Sequence, residues 1–211
     1  MKRFVPWLIA ILLLAGLCWQ FPPFHVRSLR AMQQSQAAAR FDPKQFVTTF
    51  WTERLLPAAD QAADVASVVE TIRKSPQEVR TKFGRTVGVS SSYYLFVRGV
   101  GRVVTADADS IGLSVSATGD EADVVVPLDF VFGNAVRDAA GLLDSSSYPN
   151  AQEFNDISAE LNKIVEEQVL PAFRRAATVG RRVKFAGCVE VADEEADLKP
   201  LKLVPVSVQS E

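Results

Sequence analysis

The run Tyr93-Tyr94-Leu95-Phe96-Val97-Arg98-Gly99-Val100-Gly101-Arg102-Val103-Val104-Thr105 decides how this chain folds. Its β-branched and aromatic residues read as one long strand. Gly99 and Gly101 lie inside it, and glycines within a strand mark a sharp coil or bulge. Downstream, the turn Asp107-Ala108-Asp109-Ser110 leads to Ile111, Leu113 and Val115, which alternate as a second strand. After Thr118-Gly119-Asp120, Asp123 to Val131 reads as a third strand, with Pro127 suggesting an edge or an interruption. A short helix is expected around Asn134 to Leu142. A second, beginning at Asn150, has Phe154, Ile157, Leu161, Ile164 and Val165 on one face and ends at Gly180. Asn150 with Glu153 resembles a capping box. Arg182 to Val191 and Leu201 to Val208 complete the strands. A long coiled first strand, with a helix between strands 3 and 4, predicts a five-stranded OB-like β-barrel of the α+β class. An unrelated α+β sandwich built from the same elements is the competing reading.

Upstream, Asp42-Pro43 marks a helix start, with Phe46, Phe50, Trp51 and Leu55 at helical spacing. The apolar face extends past Pro57, which is expected to break or bend the helix, through Ala62, Val65, Val69 and Ile72. A third helical piece starts at Ser75-Pro76 and ends near Gly84. The very N-terminus is of another kind. Lys2 and Arg3 precede an apolar run from Phe4 to Phe24, about the length that spans a hydrocarbon core. Such a leader is cleaved, lipidated at Cys18, or kept as an anchor. The reading favours an uncleaved anchor at the bacterial inner membrane with the bulk of the chain in the periplasm. Leu17 stands before Cys18 where a lipidation signal wants a small residue. The expected organisation is a signal anchor over 1–24, a juxtamembrane linker over 25–43 and one periplasmic domain over 44–211. Within that domain, 44–84 is helical and 93–208 is the barrel, with a helical insert at 133–178.

Composition excludes several functions. A net charge of −2 without a polybasic block argues against nucleic acid as a partner. The only histidine, His25, adjoins the apolar run, so a Ser-His-Asp triad or a histidine-rich zinc site is not expected. Cys188 reads as a small core residue. Arg98-Gly99-Val100-Gly101 has glycines inside a strand rather than before a helix, so it reads as a bend and not a phosphate loop. The carboxylates Asp107, Asp109, Asp120, Glu121 and Asp123, and the run Asp193-Glu194-Glu195 with Asp197, read as turns rather than metal ligands. Tyr93, Tyr94 and Phe96 read as core, not a base-stacking platform. Neither a metal nor a cofactor is expected. The segment Gly133-Asn134-Ala135-Val136-Arg137-Asp138-Ala139 passes from strand to helix, where an Arg could clamp an anion. Composition favours instead an Arg137–Asp138 pairing that ties the helix to the barrel.

Several of these features together resemble a known family. They are Phe21-Pro22-Pro23-Phe24-His25-Val26, Gly99-x-Gly101, Gly133 to Ala139, Asn150-x-x-Glu153-Phe154 with Leu161-Asn162, Lys184-Phe185-Ala186-Gly187 and Val204-Pro205-Val206. The chain resembles the bacterial predicted periplasmic lipoproteins of domain of unknown function 2291 (DUF2291). The resemblance implies no established activity. It implies a gene neighbourhood of ABC-type sugar-uptake systems, and hence a periplasmic sugar-binding protein or an ABC permease as partner. It makes Asn134, Arg137, Asp138, Asn150, Glu153 and Asn162 the candidate binding residues. The functional expectation is a non-enzymatic, membrane-anchored binding or accessory module; the alternative is an envelope hydrolase using carboxylates.

Overall fold

Asp42 caps the first described helix, its Oδ1 accepting from the Gln45 amide at 3.1 Å, with Pro43 in the first turn where its missing N–H costs nothing. The computed structural model describes residues 41–116, 119–144, 147–148 and 151–211. Of these, Asp42–Glu211 form one compact unit. The expected anchor over 1–24 and nearly all of the linker lie outside the described residues. Among those described, no helix is long and apolar enough to cross a membrane.

Helix α1 (Pro43–Phe50) runs through a π-helical turn, Trp51–Leu55, into α2 (Leu56–Ala59). Pro57 therefore does not break the helix as expected. The wider turn before it absorbs the hydrogen bond that a proline nitrogen cannot donate. The break comes later, at Asp60, and a two-residue strand β1 (Ala63–Asp64) separates α2 from α3 (Val65–Lys74). Asp64 caps α3 by accepting from the Ser67 amide at 3.1 Å. Helix α4 (Pro76–Phe83) stands where the sequence placed it.

The strands are β2 (Tyr93–Ala106), β3 (Ser110–Ser114) and β4 (Val124–Pro127). A single turn, α5 (Ala135–Asp138), and the long helix α6 (Ala151–Ile164) come next. A π-helical turn, Val165–Val169, leads to α7 (Leu170–Ala176). This second π turn again directly precedes a proline, Pro171, so the same device occurs twice. The remaining elements are β5 (Arg182–Val191), the short α8 (Glu194–Asp197), β6 (Leu201–Lys202) and β7 (Val204–Ser210). The acidic run at 193–197 is thus a capped helical turn that stays largely exposed. Asp193 Oδ1 accepts from the Glu195 amide at 2.9 Å, and Asp197 Oδ2 accepts from the Ala192 and Asp193 amides.

Strand β2 serves both edges. It pairs with β5 from Tyr93↔Val191 to Arg102↔Arg182, and near its C-terminus with β3, up to Ala106↔Ile111. The glycines allow the coil. A Cβ on Gly99 would overlap the Val65 side chain, and one on Gly101 would stand 3.1 Å from Leu113 Cβ. The sheet runs β6-β4-β3-β2-β5-β7, with β1 parallel beside β2. β6 pairs parallel with β4 and β7 antiparallel with β5, and only Leu203 separates β6 from β7. One C-terminal segment therefore closes the sheet on itself, as in an OB barrel. Among the described residues the strand segments number seven, not five. Leu203 splits the fifth strand by sending its amide to Val125 O, and β1 adds a short piece. Leu95, Val103, Ile111, Leu113, Val124, Val183, Phe185 and Cys188 are buried within this core. Burial pushes the Cys188 thiol far above its ordinary pKa, as a core cysteine should be.

Candidate functional site

Pro127 ends β4 four residues before the third strand was expected to stop, because proline cannot continue the ladder. The next amide, Leu128, turns instead to Asp109 O at 2.9 Å in the β2–β3 turn. Residues 128–134 then form a loop pinned by one face of α6 and the π turn that continues it. The Glu166 carboxylate accepts from the Val131 amide at 2.8 Å, Asn162 Nδ2 donates to Gly133 O at 3.1 Å, and Ser158 Oγ donates to Asn134 Oδ1 at 3.0 Å. Residues 158, 162 and 166 recur every four positions, so they stand one above another on the helix. They grip loop residues 134, 133 and 131 in the reverse order. Gly133 has φ +84, the left-handed region that glycine enters without strain.

Beneath the loop lies a buried polar latch. Arg137 and Asp138 are 6% and 4% exposed. Arg137 Nε and Nη2 donate to the two Asp138 oxygens at 2.7 and 2.9 Å, Nη1 donates to Phe154 O at 3.3 Å, and the guanidinium stacks 3.8 Å from the Phe154 ring centroid. The guanidinium is thus engaged within the fold, paired with Asp138 as expected, but it ties the short helix to α6 rather than to the barrel. Phe154 continues an aromatic chain through Tyr148 to Phe46 and Phe50, joining α6 to α1.

On the barrel side, Tyr94 and Glu190 face Asp138. Burial and the nearby carboxylates of Glu190 and Asp138 push Tyr94 up to about 12. Burial raises the Glu190 carboxyl above its ordinary value, more than the Tyr94 hydrogen bond lowers it; Asp138 and Asp197 add to the rise. A carboxyl with a raised folded-state pKa favours the fold while protonated, and that contribution is lost as pH rises through the folded value. Glu190→Gln is therefore expected to stabilise the domain at neutral pH. Its advantage should shrink as pH falls through the raised Glu190 value and be gone below the ordinary glutamate range, read as a midpoint difference in urea melts across pH.

The loop's outer side is exposed. Phe130 and Phe132 are 75% and 81% accessible, with ring centroids 6.2 Å apart. Phe130 borders a cleft of about 440 Å³ lined also by Leu128, Asp129, Glu166, Leu170, Pro171 and Arg174. Arg174 Nη2 donates to Ala108 O at 2.9 Å, which fixes the β2–β3 turn to the cleft's far wall.

Of the residues singled out in the sequence, the structure gathers Asn134, Arg137, Asp138 and Asn162 around this loop. Glu153 is half-buried in the first turn of α6. Asn150, and with it the capping box, lies outside the described residues, as does Cys18. Two of the acidic-turn carboxylates are occupied: Asp123 binds Arg73 and the Val115 amide, and Asp120 pairs with Arg102. Tyr93 and Tyr94 are buried, so they offer no stacking platform. Among the described residues, no group of three or more metal-ligating side chains is present. Phe130, Phe132, Glu166, Arg174, Tyr94 and Glu190 were not foreseen as site residues. The available signal was Pro127, which leaves Phe130 and Phe132 beyond the strand and without a core to face.

Three comparisons bear on this geometry. A family model described as predicted periplasmic lipoprotein (DUF2291) matches residues 8–209. Among solved structures, the chain is similar to an OB-fold protein from Thermotoga maritima, with 28% identity and a TM-score of 0.73. The match covers 81% of this chain and 99% of that one. No curated protein matches.

Proposed function

The chain belongs to the family of predicted periplasmic lipoproteins (DUF2291), and from that premise we propose that it is a membrane-tethered binding module of the cell envelope which docks a protein partner through the Phe130–Phe132 loop. The observation that supports this most is the exposed phenylalanine pair beside an open cleft. Large apolar side chains held in water by a braced loop are what a docking surface presents. The family's expected gene neighbourhood points to ABC-type sugar uptake, so a sugar-binding protein or a permease is the expected partner. A hydrolase would have to draw on Asp129 and Glu166 in the cleft, and Glu166 already holds the Val131 amide. Binding is the simpler use of this arrangement.

A pull-down from native membranes tests the reading, with full-length protein as bait. Phe130→Ser with Phe132→Ser should lose a transporter component that the wild type retains. Both side chains are exposed, so the melting temperature should move little. Retention of the same component by the variant would overturn the reading.

The family description also favours a lipid tether at Cys18 over the uncleaved helix expected from the leader. Radiolabelled palmitate should then enter the wild-type protein, and Cys18→Ser should abolish labelling. Equal labelling of both, or of neither, would count against lipid attachment there.

A further inference from the structure

The Phe130–Phe132 loop is surrounded mainly by carboxylates. Hydrogen bonds bring three segments together at the cleft: the β2–β3 turn, the start of the 128–134 loop and the end of the long helix. They carry Asp107, Asp109, Asp129 and Glu166, four carboxylates, against one guanidinium, Arg174. Arg174 is already donating to Ala108 O. Other cations of the same helix point elsewhere: Lys163 borders a small cavity against α1 with Lys44, and Arg175 lies beside β7. An apolar pair is thus set among carboxylates that outnumber the one guanidinium, on a chain whose total charge is only −2.

We propose that the loop and cleft receive a basic segment of the partner protein, an apolar side chain flanked by lysine or arginine. This rests on the docking role assigned above and names its partner's chemistry. The apolar side chain enters between Phe130 and the Leu170–Pro171 wall, while the flanking cations meet Asp109, Asp129 and Glu166. Complementary charge of this kind speeds encounter and fixes register. The same rim disfavours two other occupants. An anionic lipid surface would bring like charges together. A second copy, placed by a two-fold axis, would set the same carboxylates against themselves.

The test uses full-length protein in native membranes, with a benzophenone amino acid replacing Phe132 as photocrosslinker. The expected product is one protein adduct whose crosslinked peptide carries an apolar residue between basic ones. Its yield should fall at least about five-fold in Asp109→Lys with Asp129→Lys, and similarly in about 0.5 M salt. Asp109→Asn with Asp129→Asn should give an intermediate loss, and melting curves of each variant confirm folding. An adduct whose yield ignores charge reversal and salt overturns this inference while leaving the docking role standing. So does one whose crosslinked peptide is neutral or acidic. An adduct to lipid or to a second copy overturns the inference and the protein-docking role together, as does no adduct from position 132 at all.

Discussion

Arg137→Ala is expected to destabilise the domain by about 3–5 kcal/mol. The substitution leaves the Asp138 carboxylate buried without its guanidinium and strips the cation from the face of Phe154. Domains of this size are stable by only about 5–15 kcal/mol, so a large part of the total would be lost. The effect comes from stranding a charge, not from any intrinsic strength of the pair. Arg137→Met combined with Asp138→Leu should therefore recover most of the loss, because an apolar pair of similar volume carries no uncompensated charge. Denaturant midpoints of the three proteins check this. Equal destabilisation by the single and double variants would show that the latch works through something other than charge pairing. There is a practical consequence. Loss of a partner by an Arg137 variant would report a damaged fold as readily as a damaged surface, which is why the phenylalanines are the informative positions.

Phe173→Ala should cost about 3–5 kcal/mol by cavity formation. Phe173 is fully buried on α7, and α7 with the π turn before it packs on β7, the strand that closes the barrel against β5. Removing the ring empties the seam between helix and barrel. Phe173→Leu keeps much of the volume and should cost clearly less. Guanidinium melts with fluorescence detection distinguish them. A cost for Phe173→Ala below about 1 kcal/mol would mean that α7 is not a structural part of the barrel.

The barrel was legible from local features with a direct physical cause. Gly99 and Gly101 announced a strand that coils, and both turn out to be crossed closely by Val65 and Leu113. Asp42-Pro43 announced a helix start, and Asp42 caps it. Where the pattern failed, the cause lay beyond any local window. Pro57 looked like a helix break, yet the π turn before it is visible only in the backbone hydrogen bonds. Phe130 alternates as strand residues do and was counted with the third strand, which was expected to end at Val131, just before Phe132. Their exposure depends on Leu128 turning to Asp109 and on Glu166 holding Val131. The predicted helix at 134–142 shrank to one turn because Gly141 lies at φ +67 and leaves the helical path. The predicted end at Gly180 came early, at Ala176, where Ala177 turns extended. Arg137 and Asp138 were noticed as a charged pair, but neighbours in sequence carry no periodic signal of burial. The role of Ser158 and Asn162 shows only when their helix is set against a loop some thirty residues distant.

The claim that matters most is that partner contact is made by the loop over 128–134 and the cleft beside it. Hydrogen–deuterium exchange of the tethered protein, alone and in native membranes, measures this directly. Binding should slow exchange in residues 128–134 and 166–174 and in the β2–β3 turn, with α3 and α4 unchanged. Protection confined to α3 and α4, or absent throughout, would contradict it.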